Sequence, residues 1–155
     1  MVYVNCKSDF EFELRFVSQT TGEVLPQPQF RWEALLHTIG HRRDGYKVAS
    51  HSEGCFNCTP TDTGYMVRVD RHTLHPGMLL IELKVFLRDD SYPDHVKELT
   101  LTHVSGLHLV CRDCNNATTP IVDFHLPSEA VSYTPPQTDV EGTPLTKEDI
   151  DSIIF

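Results

Sequence analysis

The sequence has no apolar run long enough to cross a bilayer. Its longest, Met78 to Ile81, is four residues, against the roughly 20 that a membrane helix needs. It also lacks a basic surface. Lys and Arg number 13 against 22 acidic residues, for a net charge of −9, and a nucleic-acid site needs clustered cations. The one basic cluster, His41-Arg42-Arg43, is followed at once by Asp44 and reads as a solvated turn. Neither nucleic acid nor membrane is therefore expected as a partner. G-x-S-x-G, a Gly-rich phosphate loop and H-E-x-x-H are all missing. Asp89, Asp90 and Asp94 around Pro93 read as a turn rather than an acid/base pair, which would need a pocket to shift a pKa. The chain is expected not to be an enzyme. A single tryptophan, Trp32, reads as core, which weighs against a carbohydrate module built on exposed aromatic platforms. The opening "MVYVNCKSDFEFELRF" carries charges where a secretory signal has its apolar region. Synthesis in the cytosol, with five reduced cysteines, is the expectation.

What is present is alternation. In "FEFELRF" Phe10, Phe12, Leu14 and Phe16 share one side and Glu11, Glu13 and Arg15 the other, the period of a strand with one buried face. "QFRWEALLHTI" fits a short strand or a helix; the prolines before it and the "HRRDG" turn after it favour a strand. "YKVAS", "YMVRVD", "MLLIELKVFL", "HVKELTLTHV" and "GLHLVC" complete seven or eight strands separated by Gly, Pro and Asp turns. Such spacing predicts an all-β fold, an antiparallel sandwich or barrel. A chain of 155 residues can bury about 68–70% of its unfolded surface without help from metal or disulfides. The expected organisation is a β-sandwich over residues 1–114, an extended polar linker over 115–144 and a docking helix or arm over 145–155; within the linker "NNATTPIVDFHLP" reads as one more strand or an extended arm, and residues 128–144 are expected to leave the sandwich. Phe12, Leu14, Trp32, Leu83, Val85 and Leu109 are predicted for the core. In the arm, Thr146 with Asp149 suits a helix N-cap. Leu145, Ile150, Ile153, Ile154 and Phe155 form an apolar stripe suited to a groove on a partner.

The cysteines carry the sharpest question. Cys55 and Cys58, then Cys111 and Cys114, form two C-x-x-C pairs, and two such pairs can hold one zinc in a thiolate cage. The intervening residues, 59 to 110, number 52, longer than in a compact zinc ribbon. Residues three apart on a strand also face opposite ways. Reduced thiols in a β-domain are the preferred reading, so no cofactor is expected; zinc on these four ligands is the alternative, with Cys6 outside the site. A mixed Cys/His site drawing on His72, His75, His103 or His108 is weaker, since H-x-x-H is common on exposed strands.

From "SDFEFELRF" to "GLHLV" the order of elements carries a resemblance. The opening strand, the "TTGEVLPQPQF" turn, "GYKVAS", "YMVRVDRHTLHPGMLLIEL" and "YPD" resemble the immunoglobulin-like β-sandwich of tailed-phage structural proteins, including those of crAss-like and other gut phages. The region is also similar to the N-terminal anchoring domain of phage baseplate upper proteins. The second cysteine of each pair, the many histidines and the long linker depart from that pattern. The resemblance implies a virion structural protein: a capsid decoration, head-fibre or tail/baseplate adaptor protein. It would work by assembly with other virion proteins and copies of itself. A zinc-binding β-domain with a structural or regulatory binding role is the competing expectation.

Overall fold

A computed structural model describes residues 2–51, 54–114 and 118–135. Eleven strands run in chain order: β1 (Val2–Asn5), β2 (Phe10–Ser18), β3 (Val24–Leu25), β4 (Arg31–Thr38), β5 (Tyr46–His51), β6 (Gly54–Phe56), β7 (Cys58–Pro60), β8 (Tyr65–Val69), β9 (Gly77–Arg88), β10 (Val96–Val110) and β11 (Ile121–Leu126). A 3-10 turn at Arg42–Asp44 joins β4 to β5, and a short helix α1 (Ser128–Val131) follows β11. One sheet has the order β1-β10-β9-β4-β5-β6; the other has β11-β2-β8-β7, with β3 also paired to β2. The fold is an all-β sandwich, as the alternation predicts.

Period-two patterning places the core between the sheets. Phe12, Leu14 and Phe16 of β2 face inward against Trp32, Ala34 and Leu36 of β4 and Leu79, Ile81, Leu83 and Val85 of β9. The six predicted core residues are all at most 1% exposed. Rings join the two layers. Phe16 lies edge-on to Trp32 at 5.2 Å between centroids and near Tyr65 at 6.1 Å and Phe124 at 6.3 Å; Trp32 in turn meets Tyr65 at 5.1 Å. Tilted contacts of this kind suit the charge distribution of aromatic rings.

Three expectations need correction. First, the sandwich does not end at residue 114. β11 pairs with β2 from Ile121↔Glu13 to Leu126↔Ser18 and buries Val122, Phe124 and Leu126. An inward-facing apolar triad at period two cannot stay in a linker without exposing it. Nor does the chain leave the sandwich at Ser128: α1 buries Ala130, Lys97 pairs with Glu129, and the Tyr133 hydroxyl accepts the Arg88 N–H at 3.1 Å. Second, the sheets are not purely antiparallel, because β1 on β10 and β11 on β2 are parallel. Third, "HVKELTLTHV" and "GLHLVC" are one strand, β10, kinked by a bulge. Between Val104↔Leu80 and His108↔Met78 two extra residues enter β10, so its inside/outside alternation survives. Gly106 supplies the positive φ of 80°. Buried Ser105 closes the bulge, donating its Oγ to the Leu79 carbonyl at 2.6 Å and accepting the Leu107 N–H at 3.0 Å. The expected C-terminal docking residues, Leu145, Ile150, Ile153, Ile154 and Phe155, lie outside the described residues.

Trp32→Ala is expected to lower unfolding stability by about 3–5 kcal/mol, through lost transfer energy and the cavity left behind. Equilibrium urea unfolding checks it. An unchanged midpoint would mean that the indole does not bind the two layers together.

Candidate functional site

The structure separates the two cysteine pairs. Cys55 lies on β6, at one edge of the six-stranded sheet, and Cys111 follows β10, four strands away in the order β10-β9-β4-β5-β6. At about 4.8 Å per strand the separation is on the order of 19 Å, far beyond a shared ion. The four-cysteine zinc cage is therefore not formed. Its physical reason is topological: the edge carrying the first pair is not the edge carrying the second.

The two cysteines of the first pair also belong to different sheets, although their thiols remain neighbours. At Asn57, whose φ is +60°, the chain crosses from one sheet to the other, its side-chain amide donating to the Lys47 carbonyl at 2.8 Å. Cys55 then sits opposite Ser50 on one sheet and Cys58 opposite Val67 on the other. Burial, with the neighbouring Cys55 thiol behind it, pushes Cys58 up to about 12. At the far edge Cys111 partners Cys6, not Cys114, with the sulfurs 3.4 Å apart. The parallel register that places Asn5 beside Val110 brings the next residues of both strands together. Burial and the neighbouring Cys111 raise the Cys6 thiol, while Cys114 turns toward the Arg112 carbonyl.

The histidines divide similarly. His72 is a structural clasp: its Nδ1 accepts the Leu74 N–H at 3.1 Å, which leaves Nε2 to donate to the Ser8 carbonyl at 3.1 Å. His103 packs on Phe124 and His125, and burial lowers its pKa. His108 packs on Tyr3. None of these meets a cysteine pair.

Two other features stand out. The first is a groove of about 640 Å³ on the outward face of β4, β5 and β9, closed at the β6 edge by Phe56, which is 58% exposed. Two carboxylates stand in it. Glu33 accepts from Arg31 at 2.9 Å and contacts His51 Nε2 at 3.1 Å. Glu82 is gripped by both ends of the Arg42 guanidinium, at 2.9 and 3.2 Å. Burial alone would raise Glu33, but the Arg31 hydrogen bond and charge, with His51, outweigh it and hold the carboxyl low. The Arg42 hydrogen bond does the same for Glu82 against a smaller burial effect. Both groups are therefore fixed anions, suited to salt-bridged recognition rather than to giving up a proton.

The second feature adjoins the groove at Arg42. His41 and Asp44, on the 3-10 turn, meet His75 from the β8–β9 connection, and their ligand atoms all lie within 4.8 Å of one another. Among the described residues this is the one group of three or more His, Cys, Asp or Glu side chains so arranged. Sequence reading treated His41 as part of a solvated turn and His75 as half of a weak H-x-x-H. Only the tertiary approach of two loops joins them. Searches against protein-family models, curated proteins and solved structures return no match to this chain.

Two outcomes test the site chemistry. With limiting maleimide near neutral pH, Cys58 is expected to be modified more slowly than exposed Cys55, because so little of it is thiolate; peptide mass spectrometry gives the order. Acid unfolding tests the carboxylates. Both are held below the ordinary value of 4.5, so their contribution to stability is intact above that pH and is lost as pH falls through the depressed folded values. Glu82→Gln is expected to flatten the fall in urea midpoint below pH 4.5 relative to the parent chain.

Proposed function

We propose that this β-sandwich is a structural module of a phage virion that works by protein–protein assembly, as a capsid decoration, head-fibre or tail/baseplate adaptor protein. The observation that supports an assembly role best is the free outer edge of β11. Among the described residues β11 ends its sheet, unpaired on one side over six residues, with Ile121 55% exposed beside it. An open edge of that length is a template for strand addition. The opposite edges are protected: β6 and β7 are three residues each, and β7 ends in Pro60, which has no N–H to offer. The paired anions of the groove fit a binding module, and a net charge of −9 fits protein partners. The thiol-based zinc domain loses its support with the separation of the cysteine pairs. The C-terminal residues Leu145, Ile150, Ile153, Ile154 and Phe155 remain part of the proposal as a second attachment.

The register decides which variant isolates the edge. Glu13 donates its N–H to the Pro120 carbonyl and Gln19 donates to that of Leu126. Even-numbered residues of β11 thus turn their backbone groups toward β2, and Ile121, Asp123 and His125 turn theirs outward. Ile121→Pro removes one outward N–H at an exposed position without touching the β2 ladder, whereas His125→Pro would also remove the ring contact with His103. Mass spectrometry of purified particles is expected to find the parent chain. The proline variant, with an unchanged thermal midpoint, is expected to incorporate several-fold less. Absence of the parent chain from particles would remove the virion reading. Normal incorporation of the variant would remove the edge as its means of attachment.

A further inference from the structure

We propose that His41, Asp44 and His75 form a binding site for a divalent transition-metal ion of the zinc class, independent of the cysteines and of the assembly reading. The donor set is two imidazoles and one carboxylate, which suits ions of intermediate softness: imidazole is a good ligand for Zn²⁺, Ni²⁺ and Cu²⁺. Three ligands leave at least one position to water or an outside donor.

The loops that carry these groups are held in place by contacts that do not involve the ligand atoms. The 3-10 turn is closed by backbone bonds from His41 N–H to the Thr38 carbonyl, from Asp44 N–H to that of His41 and from Gly45 N–H to that of Arg42. Gly45 lets the turn lie flat on β4, since a Cβ there would stand 2.6 Å from Leu35 Cδ1. On the other loop, buried Leu74 and the His72 clasp fix the residues just before His75. The guanidinium of Arg42, which could otherwise repel a cation, is drawn off to Glu82.

The ligand geometry is close to that of a bound site. His75 Nε2 and Asp44 Oδ2 are 2.6 Å apart, a hydrogen bond that an incoming ion would replace. The rings of His41 and His75 are stacked at 3.9 Å with planes 7° apart. Imidazole lone pairs lie in the ring plane, so stacked rings do not aim at one ion. One ring must turn, and His41, exposed on the turn, is free to do so. The ligand atoms, now within 4.8 Å of one another, then have to reach a separation of about 3.3 Å, set by metal–ligand bonds of 2.0–2.1 Å at tetrahedral angles, so the His75–Asp44 pair opens from 2.6 Å while His41 draws in.

The test uses the full chain and Zn²⁺ alone, by equilibrium dialysis, together with Co²⁺ spectroscopy. The Cys55→Ser, Cys58→Ser, Cys111→Ser, Cys114→Ser quadruple variant separates imidazole from thiolate binding. One Zn²⁺ per chain is expected in both the parent and the quadruple variant. The Co²⁺ form of the quadruple variant is expected to lack a sulfur charge-transfer band, and its imidazole proton resonances for His41 and His75 to shift. His41→Ala, at an exposed position where folding is not at risk, is expected to weaken binding by about tenfold or more, as is Asp44→Asn. No Zn²⁺ uptake by the parent, uptake lost with the thiols, or uptake unchanged in His41→Ala and His75→Ala would each overturn the proposal.

Discussion

The contact of Phe16 with Trp32 is the point on which the two layers depend. Phe16 belongs to β2, the central strand of one sheet, and Trp32 to β4, near the centre of the other. Each is fully buried, and each touches Tyr65 of β8. One cluster therefore ties three strands from both sheets. Because strand side chains alternate strictly, seating these rings inward dictates the face of every other residue on their strands. A slip of one residue would turn Phe12, Leu14 and Phe16 outward and bring Glu11, Glu13 and Arg15 into the core, at a cost no register of backbone bonds could offset.

That constraint explains where chemistry is available. The inward faces are apolar, so charged groups collect on the outward faces and loops. On the face of β4, β5 and β9 they pair as Arg31–Glu33–His51 and Arg42–Glu82. On the outer face of β2 and β11, Arg15 grips Asp123 through two bonds at 2.8 and 3.1 Å, directly across the register. These exposed pairs contribute little to stability, but they select between registers, since a slip would set Arg15 beside an uncharged residue. The loops, freed from the alternation, are where His41, Asp44 and His75 can converge.

How far the sequence could be read follows the same division. Strands β2, β4, β5, β8 and β9 were legible because each turns one apolar side toward the core, and Trp32 could be assigned to the core for that reason. β11 reads only as one of two alternatives, one more strand or an extended arm, because "NNATTP" before it and "SEAVSYTPP" after it have linker composition. β10 reads as two strands, "HVKELTLTHV" and "GLHLVC", because the two extra residues of the bulge interrupt its pattern. The cysteine pairs misled because spacing alone carries no information about which sheet edge each occupies. The Cys6–Cys111 contact and the His41–Asp44–His75 group join residues 105 and 34 positions apart at their farthest. No local pattern encodes either, and only the strand order brings them together.

The two parallel strands have a further physical consequence. The framework from β2 through β10 consists of antiparallel pairs, several of them between neighbours in sequence, which close small loops. β1 and β11 instead join partners more than 100 residues away, Val2 with Leu107 and Ile121 with Glu13. Loop closure on that scale has to be offset by the contacts these two strands make. They also differ in how firmly they are held. β11 buries Val122, Phe124 and Leu126 and is locked by Arg15–Asp123. β1 buries only Val4 and depends on four register pairs. A disulfide between Cys6 and Cys111 would fasten β1 at its end by shortening the unfolded chain's freedom over a loop of about 105 residues, an entropic gain of roughly 4–5 kcal/mol in the simplest chain model. With both thiols reduced, β1 is the less secure edge, and its departure would uncover the ladder of β10 beneath it. Among the described residues β11 is thus an unpaired edge on a well-buried strand, while the ladder of β10 is covered by a strand held by four register pairs and one buried side chain.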